Sequence, residues 1–144
     1  MKTWISKLEA EIRPQLASLA ERIERAFPRV RVSVESHYSG PARWGLYLSC
    51  LFTDAGPDQV DQLDLGIELC ERGAAPGLNA DLCWGHPSGR VELCLTEDWA
   101  SPRDWPAADE ESIERLRAFL PALFRDLERL LAAGPVDVTS CRGP

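Results

Sequence analysis

Hydrophobic residues recur with a helical period at both ends of the chain. Near the N-terminus they fall at three- and four-residue steps over Thr3–Phe27, which predicts an amphipathic helix. Pro14 lies inside this stretch, and an interior proline removes a backbone hydrogen bond, so we expect a kink or two shorter helices. A second such stretch, Asp109–Ala133, predicts a C-terminal helix that begins with acidic residues and ends at a Gly-Pro pair.

Between these two stretches the pattern changes to alternation of apolar and polar residues. A period of two indicates strands that bury one face, and Gly- and Pro-rich segments at the breaks are typical of chain reversals. The expected inward-facing residues include Trp44, Leu46 and Leu48 in the second stretch and Leu63, Leu65 and Ile67 in the third. The five predicted strands are VRVSVESH (30–37), RWGLYLSCLFT (43–53), DQLDLGIELCER (61–72), LNADLCWG (78–85) and RVELCLT (90–96).

The order helix, five strands, helix predicts an α+β fold. Antiparallel strands with one polar face need cover on the other face only, and two amphipathic helices supply it. We therefore expect a two-layer sandwich in which a five-stranded antiparallel meander sheet carries the N-terminal and C-terminal helices on one face. The chain of 144 residues fits a single domain, 1–144, with 135–144 as a C-terminal tail that adds an edge strand or frays.

The alternation also predicts a register for the last hairpin. If His86-Pro87-Ser88-Gly89 is the turn, Trp84 faces Val91 and all inward residues match inward residues. Cys83 then lies across from Glu92, and Cys94 is its diagonal neighbour at about 7–8 Å. Bonded cysteines usually have Cα atoms about 4.4–6.8 Å apart, so we expect these thiols to stay unbonded.

Charge and cysteine content narrow the functional classes. The chain has 16 Lys and Arg against 23 Asp and Glu, a net charge of −7, and no basic stripe. Affinity for nucleic acid depends on cationic side chains, so we expect no nucleic-acid binding, and a basic protein partner suits the charge better. Five irregularly spaced cysteines indicate reduced thiols, and there is neither a signal peptide nor a membrane span, which predicts a soluble cytoplasmic protein.

A thiol or metal site is the alternative interpretation of the cysteines. Cys70, Cys83, Cys94 and His86 could supply soft ligands, or one thiol could be a nucleophile. Their spacing lacks the tight Cys-x-x-Cys pairs of structural zinc sites, and no cysteine precedes a helix. Motifs of phosphate loops, serine nucleophiles and zinc proteases are absent. We therefore expect a non-enzymatic protein without metal or cofactor, and keep a small thiol- or metal-dependent enzyme as an alternative.

Two surfaces are candidates for binding a partner. The alternation gathers acidic residues on the outer face of the sheet, which suits a basic partner, although such a face is often only solvated. The loop TEDWASPRDWPAADEE repeats an Asp-Trp pair, and Trp is frequent among interface anchors. In the alternative, each Trp folds back to cover the sheet edge or the end of the last helix. The candidate residues are Asp64, Glu68, Asp81 and Glu92 on the face, with Asp98, Trp99, Asp104 and Trp105 in the loop.

In outline, the acidic helix–sheet–helix plan resembles two groups of bacterial proteins. One is the immunity proteins of polymorphic toxins, and the other is the type III secretion chaperones, which are small acidic dimers. The resemblance rests on architecture and charge. It implies a protein-binding function, either an immunity-type inhibitor or a chaperone-like adaptor, and a possible homodimer. The chaperones usually carry a helix where this chain has RGAAPGLNAD (72–81), a departure from their pattern.

Overall fold

The computed structural model describes residues 2–38, 40, 42–72, 75–85, 91–92, 103–105 and 108–137. Within these residues the fold is α+β, with an antiparallel sheet of four long strands, a small second sheet and two helices. The elements in chain order are α1 (Lys2–Ala26), β1 (Val30–Tyr38), β2 (Arg43–Phe52), β3 (Gln59–Val60), β4 (Gln62–Arg72), β5 (Ala75–Gly85), β6 (Val91–Glu92), β7 (Arg103–Trp105), α2 (Glu110–Ala133) and β8 (Val136–Asp137).

The first helix is continuous, so the expectation of two shorter helices is wrong. Pro14 lies exposed in the middle of α1, and five apolar side chains of the helix are buried, two before the proline and three after it. A proline costs the helix one hydrogen bond, whereas the buried stripe continues from one half of the helix into the other and stabilises both. The buried residues of the stripe are Leu8, Ile12, Leu16, Leu19 and Ile23.

The second helix lies beside the first and runs in the same direction. Lys7 pairs with Glu110, Arg117 with Glu11, and Arg22 with Glu128, so the numbers rise together along both helices. α2 begins where the side chain of Asp109 accepts a hydrogen bond from the Ser112 backbone N–H, an N-cap that satisfies one free helix donor. Within the described residues, neither helix carries an apolar stretch long enough to cross a bilayer.

The four long strands confirm the predicted alternation. Their order is β1-β2-β4-β5, every neighbouring pair is antiparallel, and the even positions of β2 face the odd positions of β4 across the ladder. We call the face whose side chains are buried the inner face and the opposite one the outer face. Fully or almost fully buried inner-face side chains are Trp44, Leu46, Leu48, Cys50, Leu63, Leu65, Ile67, Leu69, Leu78, Ala80, Leu82 and Trp84.

The inner face and both helices share one hydrophobic core. α1 contacts β1 and β2, while α2 contacts β5. Phe52 stacks on Trp84 with ring centroids 6.1 Å apart, which joins the ends of β2 and β5. Because this core fixes which face of each strand is buried, it also fixes which side chains remain on the outer face.

The register of the last hairpin differs from the predicted one. Gly85 pairs with Val91 and Trp84 pairs with Glu92, so Trp84 does not face Val91 and Cys83 does not face Glu92. This pairing leaves five residues, 86–90, between the paired positions, where the predicted turn of residues 86–89 has four. One additional residue in the connection moves the register by one position. Cys94 and the remainder of the fifth predicted strand lie outside the described residues.

Three short strands occur where the hydrophobic alternation predicted none or left the choice open. β7 pairs with β5 through Leu78–Trp105, Asn79–Asp104 and Ala80–Arg103, inside the stretch that we expected to be a loop. β8 belongs to the tail and pairs with β3 to form the small second sheet. Strands of two or three residues are too short for a period of two to be recognised, so pairing partners in the fold decide them.

Replacing Pro14 with Ala should stabilise the protein. The change restores a backbone hydrogen bond inside a helix that is already continuous, and we expect the free energy of unfolding to rise by about 1–2 kcal/mol. Urea unfolding of both proteins measures this difference. An unchanged or lower stability would mean that the proline fits α1 without cost.

Candidate functional site

The centre of the outer face is a row of three paired residues. Tyr47 of β2 lies opposite Gly66 of β4, and Gly66 lies opposite Asp81 of β5. The row on one side pairs Asp64 with Cys83, and the row on the other side pairs Glu68 with Asn79. Asp81 is therefore the diagonal neighbour of both β4 carboxylates, at roughly 7–8 Å between Cα atoms. Three carboxylates thus surround a position that has no side chain, Gly66.

A pocket of about 260 Å³ lies over this centre. It owes its depth to Gly66, because an outward side chain there would occupy the space between the surrounding residues. The side chains that line it, apart from the exposed Arg43, are partly buried although they lie on the solvent side of the sheet. The lining residues are Arg43, Tyr47, Asp64, Gly66, Glu68, Asp81 and Cys83.

The ring of Tyr47 lies flat against the strands because two glycines leave room for it. A Cβ atom at Gly45 would lie 2.2 Å from the Tyr47 hydroxyl oxygen, and one at Gly66 would lie 3.1 Å from the ring. In this position the hydroxyl donates a hydrogen bond of 3.0 Å to Glu68. The ring of His37 stacks on Tyr47 with centroids 4.8 Å apart. Tyr47 therefore forms the floor of the pocket and orients one of its carboxylates.

The pocket is electrostatically unbalanced. Burial and, to a smaller extent, the negative charge of Glu68 raise the pKa of Asp81 to about 6. Burial also raises the pKa of Asp64, against hydrogen bonds from Gln62 and Ser49 that lower it. Among the described lining residues Arg43 is the single basic one, and its Nε lies 4.0 Å from Glu68 Oε2. The pocket therefore holds more negative charge than its own cation neutralises.

The cysteines do not assemble into one site. Cys70 lies opposite Gly77, six positions along β5 from Cys83, which is about 20 Å. Cys70 Sγ accepts a hydrogen bond from Arg43 Nε at 3.1 Å, and burial together with the charge of Asp81 raises the pKa of Cys83, which favours its thiol form. His86 and Cys94 lie outside the described residues, and among the described ones no group of three or more His, Cys, Asp or Glu residues is arranged to hold a metal ion.

The structure brings together three of the sequence-predicted binding residues, Asp64, Glu68 and Asp81. For Glu92 and Asp104 it gives a backbone position only, in β6 and β7.

Of the two tryptophans predicted as anchors, Trp105 is buried to 9% exposure and packs edge-on against Phe119 of α2 at 6.2 Å. This position matches the alternative in which the Trp covers the sheet edge and the last helix. Asp98 and Trp99 lie outside the described residues.

Sequence reasoning did not single out Tyr47, Gly45 and Gly66. The signal that could have found them is the presence of glycine inside two otherwise regular strand patterns. Gly in a strand interior often marks a site where another group approaches the backbone closely. Arg43 was missed because the alternation of apolar and polar residues does not distinguish it from the other residues of the outer face.

Comparison with known proteins finds no matching family model, no similar curated protein and no similar solved structure.

Replacing Gly45 with Ala should displace Tyr47. The new methyl group cannot share space with the ring, so the Tyr47–Glu68 hydrogen bond and the stack on His37 should be lost. We expect a loss of about 1–3 kcal/mol of stability, as for other overpacked sites. Gly85→Ala is the matched control, because a Cβ at that outer-face position meets its nearest neighbour at an ordinary 3.7 Å. Equal effects of the two changes in urea unfolding would contradict the assigned position of Tyr47.

Replacing Asp81 with Asn should stabilise the protein near neutral pH and have little effect near pH 4. The folded pKa of Asp81 is about 6 and its ordinary value is 3.8, so the folded protein binds more protons between these two values. Stability contributed by the protonated carboxyl is fully present below about pH 4 and is lost as the pH rises through 6. At pH 7.5 we expect a gain of about 1–2 kcal/mol for Asp81→Asn, allowing for partial exposure. Unfolding measured across this pH range would contradict the assignment if the gain were independent of pH.

Proposed function

We propose that the protein is a small acidic protein-binding module whose outer sheet face receives a basic protein partner. The pocket formed by Asp64, Glu68 and Asp81 around Tyr47 would take a Lys or Arg side chain of that partner. The partner's aliphatic stem would lie against the Tyr47 ring, and its charged end would meet the carboxylates.

The observation that carries this proposal is the unbalanced charge inside a shaped pocket. Carboxylates on an open sheet face usually point into water, where like charges are screened. Here three of them line one partly buried depression, and a single Arg lies at its edge. A cationic side chain of a partner would supply the positive charge that these three carboxylates lack.

A binding function fits the pocket better than thiol catalysis does. A nucleophilic cysteine needs a lowered pKa and an adjacent base, and the surroundings of Cys83 raise its pKa instead. The nearest acidic group, Asp81, accepts a hydrogen bond from Cys83 Sγ at 3.6 Å and adds negative charge beside the sulfur. We therefore propose a protein that is not an enzyme and needs no metal or cofactor.

Within this class we favour an immunity-type inhibitor or antitoxin-like protein of the bacterial cytoplasm. Such a protein covers a basic surface on its target, and an acidic sheet face with a pocket for one anchoring cation suits that task. A secretion-chaperone-like adaptor is the second candidate of the same class. The net charge of −7 supports either, and speaks against nucleic acid as the partner.

We also propose a finer form of the fold. The β5 edge already pairs with β6 at one end and β7 at the other, and this supports a meander that continues into a fifth strand. The shared core of α1, α2 and the inner face supports a two-layer sandwich with both helices on one side. In that arrangement the outer face is left to a partner.

Affinity purification from the native cell should recover a stoichiometric basic protein that salt releases. The triple variant Asp64→Asn, Glu68→Gln, Asp81→Asn should lose that partner, because the pocket no longer attracts a cation. Salt release is expected since exposed ion pairs weaken as screening increases.

The matched control is the triple variant Glu21→Gln, Asp58→Asn, Asp137→Asn. These residues are exposed and lie outside the pocket, and the net charge changes by the same amount. Loss of the partner in both variants would assign binding to overall charge. Retention in both would contradict the proposed site.

A further inference from the structure

In the part of the chain that the structure describes, the first strand leaves one edge of the sheet unpaired. Among the described residues, β1 pairs with β2 only. The ladder begins with a hydrogen bond from the Thr53 N–H to the Arg29 carbonyl, so odd-numbered residues of β1 direct their backbone groups toward β2. The even-numbered residues, Val32, Val34 and Ser36, therefore direct their N–H and C=O groups away from the sheet.

Charged side chains of α1 occupy the first half of this edge. Glu24 accepts a hydrogen bond of 3.1 Å from the Val32 N–H, and Arg13 approaches the Val34 carbonyl at 3.4 Å. Arg13 also donates to the Ser36 hydroxyl at 3.1 Å, which leaves the Ser36 backbone untouched. Blocking an edge with charged side chains is a common way to prevent unwanted pairing. Among the described residues, the α1 side chains bind the edge's backbone groups only as far as the Val34 carbonyl.

The second half of the edge is open. The N–H groups of Val34, Ser36 and Tyr38 and the carbonyl of Ser36 have no hydrogen-bond partner among the described residues. Tyr38 is 59% exposed, one of two large hydrophobic residues that the described chain leaves in solvent. On the outer face of the same stretch lie a carboxylate, Glu35, and an imidazole, His37.

We propose that a second copy of the chain pairs with this open half, so that two β1 strands run antiparallel about Ser36. In this register Ser36 faces Ser36 of the second copy, and Val34 faces Tyr38 of the second copy. The Ser36 pair uses backbone groups that have no partner among the described residues, whereas in the Val34–Tyr38 pair the Val34 carbonyl would accept the new hydrogen bond beside the one from Arg13. The pairing goes beyond the proposed function, because it uses the edge of β1 and leaves the carboxylate pocket between β2, β4 and β5 free.

The side chains select this register. Centred on Ser36, each Glu35 lies opposite His37 of the other copy, so a carboxylate meets an imidazole twice. Each exposed Tyr38 packs against a Val34, and aromatic and β-branched residues are favourable cross-strand partners. Shifting the centre to Glu35 would place two Glu35 side chains directly opposite each other, which is unfavourable.

The dimer is expected to be weak. The overlap spans only Val34–Tyr38, and a pairing this short buries less than the roughly 1,200 Å² of a stable interface. Association should therefore depend on protein concentration and show as a monomer–dimer equilibrium in sedimentation equilibrium of the full chain.

The experiment compares charge variants on the same strand. His37→Glu should raise the dimer dissociation constant about tenfold, because it places two acidic side chains opposite each other at both ends of the overlap. Glu35→Lys should weaken self-association in the same way, while an equimolar mixture of the two variants should associate again. The matched control is Arg31→Glu, which changes a charge of the outer face beyond the overlap and should leave association unchanged.

A second variant tests the backbone directly. Ser36→Pro removes the central outward N–H without touching the ladder to β2, and it should abolish the dimer while circular dichroism stays native. A monomer at all concentrations in the unmodified chain would overturn the proposal. So would a dimer that Arg31→Glu weakens and His37→Glu does not, since that would place the contact elsewhere. Restored association in the mixed variants separates lost complementarity from lost folding.

Discussion

The structure depends on which residues of each strand lie on the inner face of the sheet and which on the outer face. The inner-face positions of β2, β4 and β5 carry apolar side chains that are buried in one hydrophobic core with residues of both helices. A slip of one residue in any pairing would move a whole set into solvent, at about 25 cal/mol for each Å² of apolar surface exposed. Because the buried face of each strand is fixed in this way, the side chains between the core positions must lie on the outer face. That is how Asp64, Glu68 and Asp81 come to share one pocket.

The charge of this pocket is tolerated because the core supplies the stability. A half-buried carboxyl with a raised pKa, such as Asp81, opposes folding at neutral pH, and neighbouring carboxylates add to the cost. The Tyr47 hydroxyl and Arg43 offset part of it through Glu68. Residues that weaken the fold where they stand are frequent at functional sites, and this is the physical reason to place binding there.

Much of the fold could be predicted from the sequence, and the reasons for the failures are local. Helices of about seven turns and strands of nine to eleven residues contain enough repeats for their period to be recognised, so α1, α2 and the four long strands were predicted to within a few residues. Strands β3, β7 and β8 have two or three residues and carry no period. The predicted hairpin register was wrong by one position, because turn-forming residues in the sequence do not show whether four or five residues connect the two strands.

The site was predictable in part. Alternation alone placed the carboxylates of Asp64, Glu68 and Asp81 on one face, yet it could not show that they surround a glycine. The position of the Tyr47 ring depends on two glycines in neighbouring strands, Gly45 and Gly66. Only the cross-strand register places both of them beside the ring. Trp105 shows that residue type alone can mislead. Tryptophan in an acidic loop suggests an interface anchor, but the neighbours of Trp105 in the fold bury it.

Carboxyl-directed chemical labelling, read out by mass spectrometry on the free protein and on its complex with the captured partner, tests the central claim most directly. We expect Asp64, Glu68 and Asp81 to become protected in the complex, while exposed carboxylates elsewhere, such as Glu21 and Asp58, label as before. Protection confined to other surfaces, with the three pocket carboxylates equally reactive in both states, would contradict it.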